Sequence, residues 1–97
     1  MNHNIPDRVL REIISFARKH HIEKVILFGS RAKGNYTERS DIDLAIVGGN
    51  LDSFYWDVKE NTHSLLSFDI VTLNDTISDE LKKEINKDGV ILYEKTR

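Results

Sequence analysis

Asp41 and Asp43 flank a single isoleucine, and ten residues separate Asp41 from a Gly29-Ser30 pair. At a strand, residues i and i+2 project to one face, about 6.5–7 Å apart at Cα. Two carboxylates held that way repel each other unless a divalent cation lies between or beside them. Their hard oxygens suit Mg²⁺, which usually keeps waters or substrate phosphates as further ligands. Two such ions would lie about 3.5–4 Å apart, a distance that neighbouring carboxylates can bridge. Gly29 removes the side chain that would keep a ligand away from the backbone. Ser30 offers a hydroxyl and a backbone N–H at the start of a helical turn, where phosphate is favoured. If the four residues are neighbours, they combine a phosphate cradle with a metal pair.

The flanking elements must bring them together. VILF (25–28) is a short run rich in β-branched residues, closed by Gly29, and reads as a buried strand. IDLAIV (42–47), ended by Gly48-Gly49, reads as a second. If these strands are adjacent, the cradle and the carboxylates share one end of the sheet. The stretch 30–40 is polar, and RAK (31–33) predicts one helical turn.

The remaining elements complete the sheet and its cover. Asn4 as cap, Pro6 in the first turn, and Val9, Leu10, Ile13, Ile14 and Ala17 at helical spacing predict an amphipathic helix over 4–20. Leu51, Phe54, Tyr55, Val58, Leu65 and Leu66 predict a second long helix starting near Asp52. FDIVTL (68–73) is a third strand. Ile77, Leu81 and Ile85 mark a final helix stopped at Asp88-Gly89, and VILY (90–93) is a last strand, suited to an edge. The alternation of helix and strand predicts an α/β fold, a small mixed sheet covered by helices, filling one domain over 1–97.

Other polar residues have weaker claims. Asp69 is the one acid inside an apolar strand, where a carboxylate is costly unless paired or exposed at the strand end. It suits a third metal ligand or a base for an attacking hydroxyl. Arg31 and Lys33 could meet β- and γ-phosphates, and Arg39 could neutralise the site or pair with Asp41. Ser40 suits orienting the turn before Asp41. His3, His20, His21 and His63 lack acidic or cysteine partners at ligand spacing and read as surface histidines. Tyr55 and Trp56, being adjacent, must point to different sides of their helix.

Composition narrows the function classes. The formal net charge of −2 argues against direct nucleic-acid binding, which rests on neutralising many phosphates. There are no cysteines, so thiolate chemistry and cysteine-based zinc sites are excluded. No apolar run approaches the roughly 20 residues a membrane helix needs, and no signal peptide is evident, so a cytoplasmic protein is expected.

The stretch GSRAKGNYTERSDIDLAIV resembles the Gly-Ser, ten residues, Asp-x-Asp signature of the DNA-polymerase-β-like nucleotidyltransferases. The near-full-length pattern, to the closing GVILYE, resembles the minimal nucleotidyltransferase (MNT) proteins within that superfamily. The resemblance implies a polymerase-β-like palm fold, with Asp41 and Asp43 binding Mg²⁺, two ions being expected, and Gly29, Ser30 and Arg31 holding the triphosphate of ATP. It implies Asp69 as the third acid. It further implies a hetero-oligomer with a HEPN-domain ribonuclease toxin, whose tyrosine would receive AMP, the chain acting as antitoxin. Two alternatives remain: a non-catalytic antitoxin that occludes the HEPN partner, or a nucleotidyltransferase subunit acting on a small molecule or RNA. Residues to build a separate acceptor-binding domain are lacking, so a partner surface is expected to present the acceptor.

Overall fold

The β-branched runs become a four-stranded sheet whose two faces are covered unequally. The computed structural model describes residues 4–73 and 77–96. In chain order the elements are α1 (Asp7–Lys19), β1 (Lys24–Phe28), α2 (Ser30–Lys33), β2 (Ile42–Val47), α3 (Leu51–Asn61), β3 (Phe68–Thr72), α4 (Asp79–Asp88) and β4 (Val90–Glu94). The strands lie in the order β3-β2-β1-β4. β1 runs antiparallel to β2 and β4, while β2 and β3 are parallel. The sheet is therefore mixed, as the sequence predicts, and β4 is an edge. No described helix is long and apolar enough to cross a membrane.

Strand alternation decides which side chains go where. Val25 and Leu27 of β1 join Ile42, Leu44 and Ile46 of β2 on the face beneath α1 and α3. Val9, Ile13 and Ala17 from α1 and Phe54 and Val58 from α3 close this larger core. Burying each large aliphatic or aromatic side chain there is worth about 1.5–3 kcal/mol. Phe28 and Ala45 occupy the opposite face, where Ile85 of α4 completes a much smaller cluster. Asp43 falls in the same alternation as Ala45, so the carboxylate stands on the lightly covered face.

Several local expectations need correction. The cap of α1 is Pro6, not Asn4. Asn4 instead takes a left-handed backbone (φ 62°) and its side-chain N–H donates to the Arg31 carbonyl at 2.7 Å. α3 ends at Asn61 because Thr62 turns extended, its hydroxyl donating to the Val58 carbonyl at 2.8 Å. Leu65 lies beyond the helix fully exposed, while Leu66 packs against the core from the loop. Ile77 precedes α4, which is capped by the Ser78 hydroxyl accepting from the Leu81 N–H at 3.1 Å.

Two histidines also have acidic partners that sequence spacing hides. His20 Nε2 meets Asp57 Oδ2, tying the end of α1 to α3, and Lys19 adds a contact at 3.5 Å. The hydrogen bond from His20, then that from Asn61, holds the Asp57 carboxyl below its ordinary value. His63 pairs with Glu12 through its ring Nδ1 at 2.5 Å and its backbone N–H at 2.9 Å. These bonds hold the Glu12 carboxyl low as well. His3 lies outside the described residues. Tyr55 and Trp56 stack edge to face at 5.2 Å, with Trp56 mostly exposed.

Candidate active site

β1 and β2 are adjacent, so the Gly-Ser turn and the Asp-x-Asp pair arrive at one end of the sheet. Phe28, the last residue of β1, is the register partner of Asp43. The next residue, Gly29, adopts φ 75° and ψ −156°, a left-side conformation that residues with a Cβ avoid. A side chain there would also force Asp43 to move, because a Cβ on Gly29 would collide with Asp43 Oδ2. The Gly29 carbonyl accepts from the N–H groups of Ala32 and Lys33 at 3.1 Å and so starts α2. No side chain caps this turn, so its leading N–H groups are not taken up by a cap. Gly34 closes α2 in the left-handed region.

Parallel pairing of β2 with β3 sets Asp69 directly opposite Asp43. Paired residues of neighbouring strands share a face, and adjacent strands are about 4.7–4.9 Å apart. Asp41 lies just before β2, two residues from Asp43, and is exposed. Half-burial pushes the Asp43 carboxyl up to about 6, and the charges of Asp69, Asp41 and Glu84 push it the same way. The structure thus brings Gly29, Ser30, Asp41, Asp43 and Asp69 to one place.

Arg31 is placed differently from expectation. Its side chain is only 3% exposed and points away from solvent. Nε donates to the Ser40 carbonyl at 3.0 Å, Nη1 to the Asn4 carbonyl at 2.8 Å, and Nη2 to the Thr37 and Glu38 carbonyls at 3.3 and 3.2 Å. The Tyr36 ring covers the guanidinium at 5.1 Å. A group so committed is not presented to a triphosphate. Arg31 instead ties the turn after Gly29 to the 37–40 loop that delivers Asp41. Ser40 supports that loop as expected, its hydroxyl accepting from the Thr37 N–H at 2.9 Å.

Glu84 is the acid that the sequence does not single out. It comes from α4, and its Oε1 lies 3.2 Å from Lys33 Nζ. The two residues are 51 apart in the chain, and no local spacing announces the contact. Lys33 is therefore engaged with a carboxylate. Arg39 is exposed, and its backbone N–H donates to Thr37 Oγ1 at 3.3 Å.

The donor set fits a hard divalent cation in one particular way. Among the described residues, no three His, Asp or Glu side chains converge closely enough to hold an ion unaided. Mg²⁺ is commonly held by one or two carboxylates and completed by substrate phosphates and water. Asp41 and Asp43 can supply that pair, beside the Gly29 turn. The surplus negative charge felt at Asp43 is of the kind that a cation relieves.

Comparison with known proteins bears on this geometry. The profile of the family described as "Polymerase beta, Nucleotidyltransferase" matches residues 11–97. A Methanocaldococcus jannaschii protein named as a protein adenylyltransferase is 35% identical, over 90% of this chain and 97% of its own length. A solved toxin–antitoxin structure with AMP-PNP superposes with a TM-score of 0.66 at 24% identity, covering 89% of this chain and 73% of that one. A mutant of the toxin–antitoxin pair MntA–HpeT gives 0.63 at 26% identity, covering 88% and 72%.

Proposed function

The chain belongs to the polymerase beta nucleotidyltransferase family, and from that premise we propose that it transfers AMP from ATP to a tyrosine hydroxyl of a HEPN-domain ribonuclease toxin, as the antitoxin of that pair. The observation that carries this reading is the packing of the Gly29 turn directly against the Asp43 carboxylate. Phosphate-binding backbone and acidic group then address the same nucleotide. Support for a protein acceptor comes from the adenylyltransferase name of the archaeal relative, and for a toxin partner from the toxin–antitoxin neighbours. The HEPN identity and the tyrosine follow from the resemblance in the sequence.

Each residue then has a task. The Gly29-Ser30 turn holds the β- and γ-phosphates, its N–H groups and the Ser30 hydroxyl donating to phosphate oxygens. Asp41 and Asp43 would hold Mg²⁺, which when bound offsets charge on the phosphates and the leaving group. Asp69, exposed on the edge strand β3, is open to an incoming hydroxyl and takes its proton. The acceptor oxygen bonds to the α-phosphorus, the bond from that phosphorus to the bridging oxygen breaks, and pyrophosphate leaves. Arg31 keeps Asp41 in place by holding the 37–40 loop.

The test is incubation with ATP, Mg²⁺ and the partner toxin, followed by intact mass measurement and peptide mapping. A gain of whole AMP units on a partner tyrosine supports the reading. A tight complex whose partner gains no mass overturns it in favour of occlusion.

A further inference from the structure

One cation near the site is already engaged by a carboxylate. Lys33 follows Ser30 by three residues, so the two share a face of α2. Its ammonium reaches across to Glu84 on α4 at 3.2 Å. α4 is fixed over the sheet by Ile85, packed with Phe28 and Ala45, and Phe28 is the register partner of Asp43. Glu84, next to Ile85 in α4, therefore lies on the side of the sheet that carries Asp43, and its charge is felt there. A bare carboxylate there would repel a polyphosphate. The lysine masks it, and the two side chains are 39% and 34% exposed. An ion pair that open to water is a weak clamp, worth at most about a factor of five. Lys33 keeps a flexible stem and three rotatable donors.

We propose that Lys33 is a shared cation: Glu84 holds it in the nucleotide-free protein, and the polyphosphate of the bound nucleoside triphosphate takes it over. Glu84 is then a positioning residue that lowers nucleotide affinity and reclaims the lysine as pyrophosphate departs. This inference rests on the nucleotidyl-transfer reading above.

Binding of α,β-methylene-ATP with Mg²⁺, measured by calorimetry, tests it without turnover. Lys33→Met should weaken binding about tenfold, the value of one exposed charge-assisted hydrogen bond. Lys33→Arg should keep most of the affinity. Glu84→Gln should tighten binding about two- to fivefold, because the competing negative charge is gone. Thermal melts of both single variants and the double variant should show coupling between the residues without nucleotide and none at saturation. Both side chains lie at the surface, so near-native melts are expected and are read in the same series. Unchanged affinity in Lys33→Met would overturn the proposal and leave a structural ion pair. Weaker binding in Glu84→Gln would overturn it too, marking Glu84 as a ligand of the cation. Wild type that binds no nucleotide would overturn both this inference and the reading it rests on, whereas binding by wild type with flat variants removes only the inference.

Discussion

Gly29 and Asp43 meet across the β1–β2 ladder with no room for a methyl group between them. Turn and carboxylate are thus packed directly against each other. Gly29→Ala should displace the Asp43 side chain and also strain the backbone at φ 75°. The strain alone costs about 1–3 kcal/mol. A melt lowered by that amount, with AMP transfer reduced much further than stability, is the expected result. Transfer that falls only in step with the unfolded fraction would separate the turn from the chemistry.

Asp43→Asn should abolish transfer and leave the metal-free protein as stable as wild type or more so. The sign follows from the carboxyl being pushed up from 3.8 to about 6, by burial first and then by Asp69, Asp41 and Glu84. A raised carboxyl costs stability when it is charged. That cost is fully present above about pH 6 and disappears as pH falls below about 4. With solvent screening of a half-exposed group, the gain from asparagine should be roughly 1 kcal/mol at pH 8. Melts of both proteins across pH 4–8 check it. An asparagine variant less stable at pH 8 would mark Asp43 as a structural acid.

Ser30→Ala removes one hydroxyl from the turn and nothing from the core. If that hydroxyl holds phosphate, the loss is about 1.5–3 kcal/mol, or roughly 10- to 150-fold in use of ATP. The fold should be unchanged. Steady-state rates across ATP concentrations show the effect in KM first, and an unaltered KM would reduce Ser30 to a turn residue.

Arg31→Lys tests the tether. Lysine keeps the charge but lacks the planar fork that reaches the Asn4, Thr37, Glu38 and Ser40 carbonyls together. These carbonyls are only part-buried and water can replace some of the lost bonds, so a loss of about 1–3 kcal/mol in all is expected. Amide exchange should quicken in 35–40, and transfer should fall with it. A lysine variant of wild-type stability with weakened ATP binding would return Arg31 to the triphosphate.

Much of this was legible along the chain because strands announce themselves locally. IDLAIV becomes β2 over the same residues, and VILF gains only Lys24. Placing Gly29 beside Asp43 needed one further premise, that the two strands are neighbours, and they are. What stayed hidden joins distant positions. Glu84 finds Lys33, Asp57 finds His20, and Glu12 finds His63 across 51, 37 and 51 residues. No periodicity records such pairs. Arg31 misled for a related reason: a cation two residues past a glycine looks alike whether it serves phosphate or a loop. Leu65 continued a helical spacing that Thr62 had already ended.

The site's components differ in how firmly they are anchored. Gly29, Ser30, Asp41 and Asp43 belong to one continuous stretch, and both strands of that stretch lie inside the sheet. Asp69 rides on β3, an edge strand hydrogen-bonded to β2 alone. Fraying of that edge would carry the third acid away while leaving the nucleotide's half of the site assembled. On the proposed function, readiness to hold the nucleotide and readiness to spend it are thereby separable, and a partner that steadies β3 would license the second without altering the first.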